Sequence, residues 1–357
     1  MKIAFFGSSL VSAYWNGAAT YYRGLLRALH DLGWDITFYE PDARERQAHR
    51  DIDDPPWARV VVYANREDAM RQALASTRGV DVIVKASGVG VFDRELEASV
   101  LDRPSGTMAI YWDVDAPATL DRLRADPQDP FHRLVGRYDC VLTGGGGGPV
   151  ASAYKAIGAR ECMPIYNALD PATHYPVGRD PRFDCDVAFL GNRLPDREAR
   201  VDEFFFGAAR QLSDHHFLLA GNGWNDKPRP ANVTTIGHVY TTDHNAFNCT
   251  PLTVLNISRA SMACYGYSPA PRVFEAAGAG ACLISDVWEG LDAFLEPGRE
   301  VLAAASGEDV AEHVRRLTPE RARAIGEAAR RRVLASHTYA HRAADVDAIL
   351  QGRSVAA

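Results

Sequence analysis

Nowhere in the 357 residues do about 18 to 20 apolar residues follow one another, the length a helix needs to cross a bilayer. Met1-Lys2 runs straight into the strand-like stretch Ile3-Ala-Phe-Phe-Gly7, so neither a transmembrane segment nor a signal peptide is expected, and the sequence implies a soluble, cytoplasmic protein. An excess of positive charge is also missing. Thirty-nine Lys and Arg stand against 46 Asp and Glu, a formal charge of −7, which argues against a nucleic-acid backbone as the main partner. Cys140, Cys162, Cys185, Cys249, Cys264 and Cys282 form no Cys-x-x-Cys pair and lie mostly in apolar, strand-like stretches, so they read as buried free thiols. The 11 histidines make no His-Glu-x-x-His string and no clustered Cys/His spacing, so no metal or other cofactor is expected. Gly-x-Ser-x-Gly elbows and Gly-x-x-x-x-Gly-Lys-Ser/Thr loops are absent as well, which sets aside the common serine hydrolases and P-loop enzymes.

What remains is a chain that is 46% apolar and too long for one typical core, so two domains are the default. Strand-like runs at Lys2–Phe6, Asp35–Tyr39, Val60–Tyr63, Val80–Lys85, Met108–Tyr111 and Cys140–Thr143 alternate with helical or polar pieces. A further run spans Cys162–Ile165. Such alternation predicts a parallel, doubly wound sheet. The helix from Ala18 has Tyr21, Leu25, Ala28 and Leu32 on one face and Gly33 as its stop. Asp113 and Asp115 fall at the end of a strand, where two neighbouring carboxylates are costly unless solvated, paired or used. They are candidates for general-base or acceptor-binding work, and their Asp-x-Asp spelling also fits a divalent metal. Gly144–Gly148 reads as a mobile lid or a close packing point, and the aperiodic, Pro-rich 166–181 as a linker.

Beyond the linker the pattern restarts with strands at Cys185–Leu190, His216–Ala220, Val233–Ile236 and Leu252–Asn256. Pro271 can then open a helix whose first turn holds Arg272 and Glu275, ahead of a strand at Ala281–Ser285. An Arg at a helix N-terminus suits phosphate, and a carboxylate one turn on can accept hydrogen bonds from ribose hydroxyls. The pair has the parts needed to hold a nucleoside diphosphate.

The string Arg272-Val-Phe-Glu275-Ala-Ala-Gly-Ala-Gly280, with Ile284-Ser-Asp286, Glu289-Gly290-Leu291 and Glu296-Pro-Gly298 after it, resembles the donor-binding signature of two-domain (GT-B) glycosyltransferases. Among these it looks most like the CgeB-like, spore-maturation-type group. The resemblance implies two Rossmann-like domains facing across a cleft: 1–170, to which a C-terminal helix 338–352 crosses back, would take the acceptor, and 182–337 a nucleotide-sugar donor. It implies donor contacts at Gly191, Asn192, Arg193, Arg197, Gly221, Asn222, His238, Arg272, Glu275 and Asp286. Ser8, Ser9, Asn16 and Gly17 would line the acceptor side, with Asp113, Asp115 and Arg272 catalytic. Trp224 is a candidate for stacking on the base, or a cap on the sheet edge. One departure concerns Tyr267, which stands where many retaining members carry a Glu eight positions before the Glu of the Phe-Glu-Ala segment. The expectation is a metal-independent glycosyltransferase whose acceptor could be a glycan, a protein or a small molecule. Its rivals are a sugar-nucleotide epimerase on the same fold and a non-catalytic sugar-nucleotide-binding module.

Overall fold

A computed structural model describes residues 1–352 and divides the chain into two compact units, Met1–Asn167 with the chain from Tyr339 onward, and Ala168–Thr338. Each unit is built on one all-parallel sheet. In the first, β1 (Lys2–Phe6), β2 (Asp35–Asp42), β3 (Arg59–Ala64), β4 (Val82–Ala86), β5 (Met108–Asp113), β6 (Cys140–Thr143) and β7 (Cys162–Pro164) lie in the order β3-β2-β1-β4-β5-β6-β7. In the second, β8 (Val187–Leu190), β9 (Phe217–Ala220), β10 (Val233–Ile236), β11 (Thr253–Asn256), β12 (Leu283–Asp286) and β13 (Leu302–Ala304) take the order β10-β9-β8-β11-β12-β13. Both sheets are thus doubly wound α/β, as the alternation of strands and helices predicts.

The strands form where they do because helices cover both faces of a parallel sheet, so its strands are unbroken apolar runs. Every residue of β4, β6, β9, β11 and β12 is buried. The helix Ala19–Asp31 turns Tyr21, Tyr22, Leu25, Leu26 and Leu29 inward, and Gly33 ends it with φ +91°. Against it packs the last helix, Tyr339–Leu350, at a point where Gly24 alone leaves room. A Cβ there would stand 2.1 Å from the Tyr339 ring.

Two segments depart from the sequence reading. Gly147 and Gly148 belong to the helix Gly147–Ala156, and Gly146, at φ +86°, is its N-cap, so the glycine run is a tight strand-to-helix turn and not a lid. Val150 fills the space a Gly146 side chain would need. The stretch read as a linker packs on the second unit from Ala168 on: Leu169 and His174 are buried, and Asn245 bonds to the backbone of Thr173 and Tyr175. Gln351 and Gly352 form a turn, and 353–357 lie outside the described residues. All six cysteines are free, four of them buried, while Cys264 is exposed. No helix among the described residues is long and apolar enough to cross a membrane.

Candidate functional site

In a doubly wound sheet the strand order reverses once, and the chain leaves the two flanking strands in opposite directions. A crevice opens at their carboxyl ends, where such folds bind ligands. In the second unit the reversal lies between β8 and β11. Gly191, Asn192 and Arg193 leave β8, and Gly221 and Asn222 leave β9 beside them. Asn222 N donates to Asn192 Oδ1 at 2.9 Å, Arg193 N to Asn222 O at 2.9 Å, and Gly221 N to Gly237 O at 3.0 Å. Gly221 has φ +117°, and a Cβ there would stand 2.3 Å from Gly191 O. Trp224 is buried against this turn, its Nε1 donating to Gly191 O at 2.7 Å and its ring edge-on to Phe206. It is therefore a cap on the sheet edge, with no face left for a base. His238 is exposed, its ring against that of Tyr240.

The two arginines that follow β8, Arg193 in the loop and Arg197 in the first turn of the helix Pro195–Val201, have different fates. Arg193 forms a two-pronged pair with Glu198 (2.9 and 2.8 Å) and another with Asp226 (2.9 Å). These carboxylates hold its pKa above the usual arginine range. With every arm engaged it is not available to a phosphate, contrary to the expectation. Arg197 has no ion pair and no hydrogen bond among the described residues, and its Nε is enclosed without a partner. Its guanidinium lies beside Gly191, where a Cβ would stand 2.8 Å from Nη1. Burial and the nearby charge of Arg259 lower its pKa. The carboxylates within electrostatic reach are already taken: Asp196 by Arg259 at 2.6 Å, and Asp286 by Arg200 at 2.6 Å. A partly buried cation without a counter-charge is costly, and an anionic ligand would remove that cost.

Asp286, expected to touch the donor, is instead fully buried. It accepts from Arg200, from the backbone and hydroxyl of Ser258 and from Asn256. Those bonds fix the loop leaving β11, and they leave no oxygen facing a ligand. The helix Pro271–Ala279 starts with Pro271 and sets Arg272 and Glu275 on one side. Arg272 Nη1 donates to Asn248 Oδ1 at 3.2 Å, Nη2 stands 3.7 Å from Glu275 Oε2, and Nε is enclosed without a partner. Burial lowers the Arg272 pKa, partly opposed by Glu275. Glu275 is 7% exposed; burial acts to raise its pKa, but the neighbouring His174 and Arg272 outweigh burial and lower it. His244 is driven down to about 4 by burial, so it is neutral at pH 7. Neither histidine stands in a local motif that would have marked it. Tyr267 sits at φ +44° with its ring on Gly290, a left-handed backbone that a bulky residue rarely adopts.

In the first unit the reversal lies between β1 and β4. The loop after β1 is locked from within: Ser8 Oγ donates to Asn16 Oδ1, Ser9 Oγ to Glu40, and Asn16 Nδ2 to the carbonyls of Ser9 and Ser12. Ser8, Ser9 and Asn16 are all buried, so they shape this loop and do not line an open surface. Gly17 is exposed, and a Cβ added there would meet nothing within 4 Å, so no tight turn depends on it.

Asp113 is wholly buried at the end of β5, accepting from Tyr154 Oη and from Asp115 N at 3.0 Å, and burial raises its pKa. Asp115 is half-buried at the N-cap of the helix Ala116–Ala125. Asp113 is thus a turn-forming carboxylate and fits neither the general-base nor the metal reading. Tyr154→Phe should cost about 1–3 kcal/mol of stability, the penalty for a buried acceptor that loses its donor. Urea unfolding would show it, with turnover per folded molecule unchanged. Slower turnover at unchanged stability would return Asp113 to the chemistry.

Residues 197–348 match the family described as glycosyl transferase-like. No curated protein is significantly similar to the chain in sequence. Among solved structures, the sucrose-phosphate synthase of Thermosynechococcus elongatus superposes with a TM-score of 0.72 at 14% identity over 99% of this chain and 98% of that one. Anabaena Alr3699/HepE, solved with UDP and glucose, gives 0.67 at 13% identity over 99% and 100%. The T4 phage β-glucosyltransferase with its UDP-glucose substrate gives 0.62 at 13% identity over 99% and 100%. At these identities the likeness establishes the fold: two Rossmann-like α/β units of the GT-B type, with a glycosyl transferase-like segment covering most of the second.

Proposed function

We propose that the chain is a glycosyltransferase that takes a sugar from a nucleoside diphosphate bound at the carboxyl edge of the second unit's sheet. The observation that carries this reading is Arg197, a guanidinium without a counter-charge beside the glycine turn of the β8/β11 crevice. Arg272, in the first turn of a nine-residue helix, brings a second cation and a helix N-terminus to the same unit. The leaving diphosphate gains charge as the glycosidic bond breaks. Fixed cations that need no reorganisation stabilise that charge more than they stabilise the bound donor. The match of 197–348 to a glycosyl transferase-like family supports the class of reaction. The UDP and UDP-glucose complexes of proteins with this fold make UDP the first base to test. The CgeB-like grouping, transfer without a metal and a cytoplasmic location belong to the same proposal, with a glycan, a protein or a small molecule as acceptor.

A thermal-shift screen of the full chain against UDP, GDP, TDP, CMP and their sugars tests the reading. A ligand at 100 times its dissociation constant adds about 2.7 kcal/mol of stability, which is readily seen as a raised Tm. We expect one nucleoside diphosphate and its sugars to stand out. A flat response across the panel would contradict the donor site.

A further inference from the structure

Three electron-pair donors converge inside the second unit from separate stretches of chain. His174 lies in the segment read as a linker, His244 opens the helix His244–Cys249, and Glu275 is in the first turn of Pro271–Ala279. One ligand atom of each lies within 4.8 Å of the other two. His174 is 3% exposed, and neither its Nε2 nor His244 Nδ1 has a hydrogen-bond partner among the described residues.

One ring nitrogen of each histidine is already held, which leaves the other facing the cluster. His174 Nδ1 is 3.0 Å from Thr173 Oγ1, so the nitrogen left for a ligand is Nε2. His244 Nε2 stands 3.3 Å from the Val239 carbonyl, which can only accept, so its lone pair is on Nδ1. Two imidazole nitrogens without a hydrogen-bond partner and a carboxylate therefore face one another in a buried space, an arrangement of donor atoms that a cation can satisfy.

We propose that His174 Nε2, His244 Nδ1 and one oxygen of Glu275 bind a divalent transition cation of the zinc class, with solvent completing the coordination. Two nitrogens and one oxygen suit zinc, whose bonds of about 2.0–2.2 Å require the three side chains to close in slightly. The outer shell is already present: a hydroxyl holds His174, a carbonyl holds His244, and Arg272 stands 3.7 Å from Glu275 Oε2. Arg272 also works against the ion by its charge, so affinity falls below that of a site without a neighbouring cation. The ion would pin the 170–176 segment to two helices. This role is structural and does not rest on the transferase reading.

The test uses the untagged full chain, stripped with chelator and dialysed against zinc or cobalt. The readouts are metal per chain by mass spectrometry and the visible absorption of the cobalt form. One ion per chain is expected. His174→Ala and His244→Ala should lose it, and Thr173→Val should weaken it by roughly 10- to 100-fold as an outer-shell loss. Arg272→Met should bind it more tightly. Wild-type protein that is folded by circular dichroism but retains no zinc or cobalt would overturn the proposal. So would an ion that survives both histidine substitutions. Glu275→Ala that weakens UDP binding in metal-free protein would instead assign this carboxylate to ribose.

Discussion

Replacing Arg197 with Met is expected to weaken nucleoside-diphosphate binding by about 10- to 100-fold, the usual worth of a hydrogen bond to a charged group. Transfer should slow further, by roughly 10²- to 10³-fold, because the same contact strengthens as the leaving group gains charge. Stability decides between this role and a structural one. An arginine that holds the fold together costs stability when removed, whereas Arg197 has no carboxylate or hydrogen-bond partner to lose among the described residues, and its removal relieves a partly buried charge. The Arg197→Met protein should therefore unfold at the wild-type temperature or above. Arg193→Ala is the control: it breaks pairs with Glu198 and Asp226, so it should lower stability slightly and leave diphosphate affinity alone. Calorimetric titration and thermal unfolding of both variants separate the outcomes, and equal loss of affinity in both would refute the distinction.

Gly221→Ala is expected to have the largest structural effect. The residue holds φ +117°, where a side chain costs about 1–3 kcal/mol. The added methyl would also stand 2.3 Å from the carbonyl oxygen of Gly191. Backbone cannot rotate away as the end of a side chain can, so overpacking adds about another 1–3 kcal/mol. The two turns must separate, and the crevice beside Arg197 changes shape with them. The protein should lose stability in urea, and the molecules that remain folded should bind the diphosphate less well. Wild-type affinity in the folded fraction would show that these turns only close the sheet edge.

The fold was largely legible because parallel strands covered on both faces are written as apolar runs. Val233–Ile236 and Cys140–Thr143 were placed to the residue. Ends drifted where composition changes within a strand: β2 continues through Glu40, Pro41 and Asp42, whose pairing with β3 no propensity announces. Helices such as Glu67–Ala75 are short, and only their place between strands suggested them. The π-turn at Asp202–Phe206, with three buried phenylalanines in a row, has no period that a helical template matches.

The site was less legible, and the reason is partner choice. Spacing placed both Arg193 and Arg197 in the loop after β8, but only folding brings Asp226 to the first and leaves the second without a counter-charge. Asp113 reads the same in sequence whether it meets a substrate or the Tyr154 hydroxyl. The histidine pair was invisible for a related reason. A search for local ligand spacing finds nothing when His174, His244 and Glu275 come from three stretches of chain.

The donor site is tested most directly by a crystal structure of the chain with whichever nucleoside diphosphate raises its Tm most. Phosphate oxygens are expected within hydrogen-bond reach of Arg197, beside the Gly191 turn and near the N-terminus of the Pro271–Ala279 helix. A diphosphate bound elsewhere, with Arg197 still without a partner, would contradict the proposed site.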